Sequence, residues 1–245
     1  MNFHPKQTKQ YRQKELQLRF KDEDVPSLDE LDRLINNITF GKKDPERQTA
    51  QAKALIAIYY LTACRVSEIT TPFYLRKYKT QKLLDGTKKQ IIIEKVKQEF
   101  LGVRKEDITF DTINGKRCMF IRTENRKNKQ KKTKKQPIPI ELESKLSLYL
   151  EKYLSTIMPG DFLFNFGCKR ATQIINETIK WNPHFIRHIR ATHLIVLYDF
   201  NEQMLISFMG WTDGRPAKNY MELNKKDLFN AFYKNKGGNN ERKNT

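Results

Sequence analysis

The sequence predicts an α+β fold that is mainly α-helical and carries a small antiparallel β-sheet. Apolar residues recur at helical spacing in several parts of the chain, for example in 28–35 and 54–61. Strand patterns are concentrated in the middle, around Asn114-Gly115, a dipeptide typical of two-residue hairpin turns. With 245 residues, of which 38% are hydrophobic, the chain is long enough to bury a substantial core.

The first predicted elements are helices that follow a polar segment. Residues 1–24 are polar and basic without apolar periodicity, and we predict a basic N-terminal arm there. Ser27 is a suitable N-cap for the first helix. The tripeptide at 44–46, Asp-Pro-Glu, combines a capping carboxylate with a proline at the first helical position and predicts a second, strongly apolar helix. We expect this second helix to carry Arg65 and Glu68 near its C-terminal end.

The predicted sheet follows these helices. Within the stretch 75–103 the pattern assigns one candidate strand, at 91–93. Two further strands, at 107–110 and 118–121, flank the hairpin dipeptide, and a third strand of this meander ends at 137–140 after a basic stretch.

The rest of the chain is predicted to be helical. The apolar spacing predicts helices over 141–157, 170–179, 184–198, 202–209, 215–221 and 226–234. Asn201 is a suitable N-cap for one of them. Residues 235–245 are polar and contain two glycines, so we expect a flexible C-terminal tail after a single domain over 25–234.

The charge balance points to a polyanionic partner. The chain has 47 Lys and Arg against 28 Asp and Glu, which gives a formal net charge of +19. Nucleic acid is the first candidate partner and an anionic membrane surface the second. The sequence has neither an apolar run of about 18 residues nor a signal peptide, so we expect no membrane and a cytoplasmic, nucleoid-associated protein. Its three cysteines lack CxxC spacing, which predicts neither disulfides nor a zinc site.

Polar residues interrupt the helical pattern with a chemistry that suits phosphoryl transfer. Arg65 and Arg187 carry planar, permanently charged guanidinium groups, which can grip one phosphate and stabilise the charge of its transition state. His184 lies three residues before Arg187 on the same helical face, where it can donate to the phosphate or help deprotonate the incoming phenol. Trp211 offers one N–H donor on a rigid apolar ring.

Tyr220, nine positions after Trp211, is the candidate nucleophile. A tyrosine that attacks phosphorus forms a covalent intermediate that conserves the bond energy, so neither ATP nor a metal ion is required. The sequence shows no carboxylate cluster suited to two metal ions, and we predict no metal and no small-molecule cofactor. We interpret His188 and His193 as structural residues, with His188 supporting Arg187.

Three segments resemble the boxes of tyrosine recombinases, the phage-integrase family. Residues 61–69 read LTACRVSEI and resemble the first-arginine box, while 183–194 read PHFIRHIRATHL and resemble the His-x-x-Arg-His box. Residues 209–220 read MGWTDGRPAKNY and resemble the segment that ends in the nucleophilic tyrosine, in a Met-Gly-Trp form most like archaeal members. The resemblance runs from about Leu28 to Phe232 and implies the catalytic-domain fold of this family. It implies catalytic roles for Arg65, His184, Arg187, Trp211 and Tyr220, with Glu68 supporting Arg65.

The family also uses a lysine on a β-hairpin, which protonates the departing 5′ oxygen. The resemblance places this lysine in the turn of the 118–140 meander. Lys127 follows the second strand most directly and is our candidate, while Lys129 and Lys131 compete with it because loop length shifts the register. The same basic turn is expected to bind DNA, through Arg126, Lys129, Lys131 and Lys132.

The sequence departs from the family pattern in two places. Family members usually carry an N-terminal helical domain that completes a clamp around DNA, whereas a polar arm precedes the first predicted helix here. We therefore expect this domain to be absent. The segment between Glu68 and the sheet is also longer than the family usually shows.

The resemblance implies DNA cleavage by Tyr220 through a 3′-phosphotyrosyl intermediate, and rejoining to another strand, in site-specific recombination or integration of a mobile element. The implied partner is double-stranded DNA, bound by a homo-oligomer, a tetramer, in which the amphipathic segment 227–233 docks on a neighbouring copy. A type IB topoisomerase is an alternative, which AKNY at 217–220 favours but the spacing of Trp211 and Tyr220 does not. A DNA-binding regulator that keeps the fold without cutting is a second alternative.

Overall fold

The computed structural model describes residues 25–70, 75–82, 86–96, 102–125 and 132–221. Outside the described residues lie the predicted arm at 1–24, the hairpin turn at 126–131, the helix at 226–234 with the docking segment at 227–233, and the tail at 235–245. Within the described ranges the chain is mainly helical with antiparallel strands, so the predicted fold class is confirmed.

Most of the helices and strands follow each other in the predicted order. The helices are α1 (Leu28–Asn36), α2 (Pro45–Thr62), α3 (Val66–Ile69), α4 (Ser144–Leu154), α5 (Cys168–Ile179), α6 (Pro183–Val196), α7 (Glu202–Met209) and α8 (Arg215–Met221). The strands are β1 (Leu75–Lys82), β2 (Lys88–Val96), β3 (Ile108–Ile113), β4 (Lys116–Asn125) and β5 (Lys132–Pro139). Among the helices that the structure describes, none combines the length and apolar character of a membrane span.

Helix α2 is the centre of the main core. Asp44 caps its first turn by accepting a hydrogen bond from the N–H of Arg47 at 3.1 Å, and Pro45 occupies its first position, as predicted. Every residue from 54 to 62 is buried, because a helix that is apolar on all sides is stable only inside the molecule. Helices α1, α4, α5 and α6 pack around it.

The three-stranded sheet contributes one side of this core. Strands β3, β4 and β5 form the predicted antiparallel meander. Asn114 and Gly115 have φ angles of 51° and 77° in its first turn, as a type I′ hairpin requires. Met119, Ile121 and Ile138 are fully buried and join the core cluster that contains α2.

A second sheet, which has two strands, precedes the meander and was not predicted as such. Strands β1 and β2 pair antiparallel, with Thr80 opposite Gln90. The strand expected at 91–93 is confirmed as part of β2, but β1 was missed. Lysine and glutamine favour strands weakly, so the extended state of β1 depends on its pairing with β2. This ribbon occupies most of the chain between Glu68 and the meander.

A break separates α2 from α3, and it corrects the prediction that Arg65 and Glu68 end the long helix. Ala63 adopts a left-handed conformation with φ 47° and stops α2. Arg65 is instead the N-cap residue of α3, and Glu68 lies in the first turn of that short helix. No glycine or proline marks the break in the sequence. The break is held from outside, because Arg187 donates a hydrogen bond to the carbonyl of Ala63.

The C-terminal helices form a second apolar cluster beside the main core. Asn182 and Asn201 cap α6 and α7 by accepting hydrogen bonds from the N–H groups of Phe185 at 2.8 Å and Met204 at 2.9 Å. Gly210 ends α7 with a φ of 66°. The buried members of the cluster are Ala63, Ala191, Leu194, Leu205, Met209 and Ala217. This packing holds α8 against α6 and α7.

Candidate active site

The buried guanidinium of Arg187 joins two segments that are far apart in the sequence. Arg187 lies in α6 and is 7% exposed. Its Nη1 donates to the carbonyl of Ala63 after α2, and its Nη2 donates to the carbonyl of Met209 at the end of α7, at 3.2 Å. The first and third recombinase-like segments therefore meet at the second.

Arg65 is held by Glu68 at the start of α3. Nη1 of Arg65 lies 2.9 Å from Oε1 of Glu68, and the backbone N–H of Arg65 donates to Oε2 at 3.0 Å. The Glu68 side chain is 1% exposed, whereas that of Arg65 is 32% exposed. A buried carboxylate thus orients a guanidinium that still reaches solvent. This geometry suits a carboxylate that supports a catalytic arginine, although the role itself stays a prediction.

Positive charges converge where α3 meets α6. Burial lowers the pKa of His184, and the charges of Arg187 and Arg65 lower it further. Burial also lowers the pKa of Arg187, and Arg65 adds to this shift while Glu68 opposes it. Like charges in a partly buried site repel each other, and an anion bound between them relieves the repulsion. The arrangement therefore suits a phosphate group.

Tyr220 lies on α8 beside these cations and is half-buried. Its ring stacks on that of Trp211, with centroids 5.8 Å apart and planes inclined by 15°. The Arg187 guanidinium lies 5.9 Å from the centroid of the Trp211 ring. Burial raises the pKa of Tyr220, and the charge of Arg187 opposes that shift. The structure thus brings the predicted nucleophile to the predicted phosphate-binding residues.

His188 also belongs to this cluster and contacts the predicted nucleophile, a contact that the sequence did not predict, while its predicted support of Arg187 stays a prediction. Its Nδ1 is hydrogen-bonded to the hydroxyl of Tyr220, and its ring centroid lies 4.3 Å from that of His184. Burial, followed by the charges of His184 and Arg187, lowers the pKa of His188 to about 4, so its imidazole is neutral at pH 7. The sequence did carry a signal, because the spacing of His184, Arg187 and His188 places all three on one face of a helix.

The structure describes the predicted hairpin lysine region only in part. Outside the described residues lie Lys127, Arg126, Lys129 and Lys131, and nothing is described of the Lys132 side chain. The ammonium group of Lys134, within β5, lies 4.0 Å from Oε2 of Glu68, and this side chain is 13% exposed. Lys134 was not predicted as a site residue, because the resemblance places the lysine in the turn and not in the strand. Across the described ranges, no three His, Cys, Asp or Glu side chains are grouped as potential metal ligands.

Comparison with known proteins gives matches among solved structures. No model of a protein family and no curated protein sequence matches the chain. The XerH site-specific recombinase, in a post-cleavage complex with palindromic difH substrate, matches with a TM-score of 0.50 and 19% sequence identity, over 86% of this chain and 51% of that chain. The XerA recombinase matches with a TM-score of 0.47 and 18% identity, over 86% of this chain and 63% of that chain. The Tn1549 transposon integrase, in complex with circular intermediate DNA, matches with a TM-score of 0.44 and 14% identity, over 87% and 66% of the two chains.

The likeness to XerH establishes the arrangement of helices and strands. This chain spans about half the length of the XerH chain. The chain therefore has the recombinase catalytic-domain fold that its sequence predicts.

Proposed function

We propose that this chain is a tyrosine recombinase, which cleaves and rejoins DNA through a 3′-phosphotyrosyl intermediate in site-specific recombination or integration. The observation that supports this best is the position of Arg187. Its guanidinium bonds to the carbonyls of Ala63 and Met209, so that Arg65 and Tyr220 lie around one cationic centre. Two neighbouring arginines repel each other and so destabilise the folded protein. A phosphate bound between them would offset this repulsion.

In the proposed reaction the Tyr220 hydroxyl attacks the scissile phosphate. A bond forms between its oxygen and phosphorus while the bond to the 5′ oxygen breaks, which leaves a 3′-phosphotyrosyl linkage and a 5′-hydroxyl. Arg65 and Arg187 stabilise the charge of the pentacoordinate transition state. His184 and the N–H of Trp211 contribute hydrogen bonds to the same phosphate.

The second step reverses the first with a 5′-hydroxyl from another strand, so that new partners are joined. The phosphotyrosyl linkage keeps the energy of the phosphodiester bond, and the proposed reaction therefore uses neither ATP nor a metal ion. The proposed general acid is a lysine of the β4–β5 hairpin. Lys127 is the first candidate, and Lys129 and Lys131 are the alternatives.

The proposed partner is double-stranded DNA. A formal net charge of +19 supports this, and the XerH structure with the same fold is a complex with its difH substrate. Exchange between two duplexes requires cleavage of each of their strands, so we propose a tetramer on DNA. Sedimentation of the protein on a synthetic junction tests this assembly, which a monomer at every concentration would contradict.

The test of the proposed function is to trap the covalent intermediate. The protein is incubated with nicked duplex DNA from the sequences that flank its gene, and the reaction is quenched with SDS. We expect an adduct with the wild type and none with Tyr220→Phe. Tyr149→Phe is the matched control, because it removes the hydroxyl of another half-buried tyrosine, which bonds to Asp32 outside the site. This variant should keep the adduct.

Other outcomes favour other functions. An adduct that survives in Tyr220→Phe would show a different nucleophile and contradict the proposal. Salt-sensitive DNA binding without any adduct would favour the DNA-binding regulator. If the adduct forms, transfer of strands between two labelled duplexes distinguishes a recombinase from a type IB topoisomerase, which relaxes DNA.

A further inference from the structure

We propose that His188 accepts the phenolic proton of Tyr220 when the tyrosine attacks DNA. The inference rests on the proposed function, in which Tyr220 is the nucleophile and its proton needs a destination. Nδ1 of His188 and the hydroxyl of Tyr220 are hydrogen-bonded, and the two ring centroids lie 5.3 Å apart. A proton can be transferred directly only between groups in such contact.

The two histidines of α6 in this cluster have different surroundings. His184 lies one helical turn before His188 and meets it edge to face, with ring planes inclined by 76°. The charges of both Arg187 and Arg65 act on His184, which places it on the phosphate side of the cluster. The bond to the Tyr220 hydroxyl is made by His188. The two histidines therefore have different proposed roles. His184 donates a hydrogen bond to the phosphate, and His188 accepts the proton of the phenol.

The surroundings of His188 keep its ring neutral until DNA binds. Among the groups that face it are Tyr220, His184 and Arg187. Burial and the charges of His184 and Arg187 hold its pKa at about 4, so near neutral pH the ring is neutral and carries one proton. The proposal requires this proton on Nε2, so that Nδ1 accepts from the Tyr220 hydroxyl. A phosphodiester bound to Arg187 and His184 places a negative charge beside the ring. This charge raises the pKa of His188 and makes it a better base when the substrate is present.

The step balances without a further reactant. The O–H bond of Tyr220 breaks and its proton moves to Nδ1 of His188, while the oxygen forms a bond to phosphorus. The bond from phosphorus to the 5′ oxygen breaks, and this oxygen takes a proton from the hairpin lysine. His188 is left as an imidazolium and the lysine as a neutral amine, and the rejoining step returns both protons.

The first experiment separates activation of the nucleophile from protonation of the leaving group. Nicked duplexes from the sequences that flank the gene carry either oxygen or sulfur at the scissile 5′ position. A sulfur leaving group needs no general acid, so a defect of the lysine is rescued on that substrate and a defect of His188 is not. His188→Asn keeps a hydrogen-bond acceptor near Nδ1 but takes up no proton at neutral pH. We expect it to cleave both substrates about 100-fold more slowly than the wild type.

His193→Asn is the matched control. His193 lies on the same helix, and its Nδ1 is 2.7 Å from the hydroxyl of Tyr60 in the core. The substitution therefore breaks the same kind of pair away from the proposed site, and it should cleave at the wild-type rate per folded molecule. Equal cleavage by His188→Asn and this control would overturn the proposal. Rescue of His188→Asn by the sulfur substrate would overturn it as well.

A second measurement is independent of cleavage. Long-range ¹⁵N–¹H spectra of protein labelled at histidine show which ring nitrogen carries the proton. We expect an unprotonated Nδ1 for His188, and its signal should shift in Tyr220→Phe; a protonated Nδ1 would overturn the proposal. Failure of the proposed function is distinguishable, because the wild type itself would then form no Tyr220 adduct.

Discussion

At the scale of residues, helix α6 carries two buried arginines with different partners. The difference distinguishes a structural ion pair from the guanidinium of the proposed phosphate site. Arg190 is 2% exposed and pairs with Glu143 inside the core. Arg187 instead donates to two backbone carbonyls, and among the described residues it forms no ion pair with a carboxylate. A buried cation without a counter-ion is destabilising. This difference favours Arg187, and not Arg190, as an arginine of the proposed phosphate site.

Replacement of Arg187 is expected to affect cleavage and stability together. Arg187→Lys should slow cleavage of nicked DNA by at least about 100-fold, because an ammonium cannot hold both carbonyls and a phosphate from one planar group. It should also lower the free energy of unfolding by about 1–3 kcal/mol, measured in urea, because a buried carbonyl loses its donor. Arg170→Lys, at an exposed position on α5, is the control. Cleavage no slower than that of this control would refute the phosphate role.

The free energy of unfolding is expected to fall as the solution becomes acidic. Burial lowers the pKa of His188 and of His193 from 6.5 to about 4. The unfolded chain therefore binds protons that the folded chain does not, so the stabilisation is fully present above pH 6.5 and is lost as the pH falls toward 4. Each histidine contributes at most about 3 kcal/mol.

Urea unfolding across this pH window measures the effect. His193→Gln removes one of these groups and should flatten the dependence in part, since glutamine does not titrate, while His188 and His184, whose pKa burial also lowers, still contribute. A free energy of unfolding that stays constant through the window would contradict the burial of neutral imidazoles.

At the scale of elements, the site is built where helices begin and end. Helix α8 delivers Tyr220, but its seven residues are too few for an isolated helix to be stable in water. Ala217, which is fully buried in the cluster with Ala191 and Leu205, holds α8 in place. The position of the proposed nucleophile therefore depends on the packing of α8 against its own chain.

A charged side chain introduced into the apolar cluster that holds α8 is expected to detach this helix from the rest of the domain. Ala217→Glu buries a carboxylate in an apolar cluster, so α8 should leave its position and cleavage should be lost while the main core stays folded. Limited trypsin digestion should then cut faster after Lys218. Met204→Glu introduces the same residue at a position of α7 that is 52% exposed and should change neither result. Loss of cleavage without faster digestion would argue against this docking.

At the scale of the whole molecule, the excess of positive charge is expected to govern the proposed association with DNA. Several carboxylates are already engaged in ion pairs, as Glu68 is with Arg65, Glu143 with Arg190 and Asp107 with Arg122. Each such pair is neutral and leaves the net charge of +19 unchanged, and this excess is what the proposed duplex partner would meet. The part of the DNA affinity that comes from phosphate contacts is expected to be similar for any base sequence. It therefore carries little information about the target site.

DNA affinity is expected to fall steeply and linearly with salt on a double-logarithmic plot, because each contacted phosphate releases counterions. Fluorescence anisotropy of a labelled duplex over a range of salt concentrations measures the slope. Arg65→Ala should reduce the slope by about one, and Tyr220→Phe should leave it unchanged. An affinity that does not change with salt would contradict an electrostatic interface.

The sequence by itself determined the features that depend on near neighbours. Ser27, Asp44 and Asn201 act as predicted N-caps, each bonding to an N–H three residues later. Asn114-Gly115 forms the predicted hairpin turn because both residues tolerate positive φ. The residue types and spacing of the boxes also indicated which arginines, histidine and tyrosine to expect at one site. Such signals are local, and a single sequence shows them directly.

Only the tertiary structure decided the contacts between distant residues. The break at Ala63 is held by Arg187, far along the chain, so no nearby glycine or proline announced it. His188 lies 32 positions before Tyr220, and whether the two meet depends on how α8 docks against α6. The approach of Lys134 to Glu68 likewise depends on how β5 packs beside α3. Helix docking is the sum of many weak packing contacts, and for that reason no spacing in the sequence encodes it.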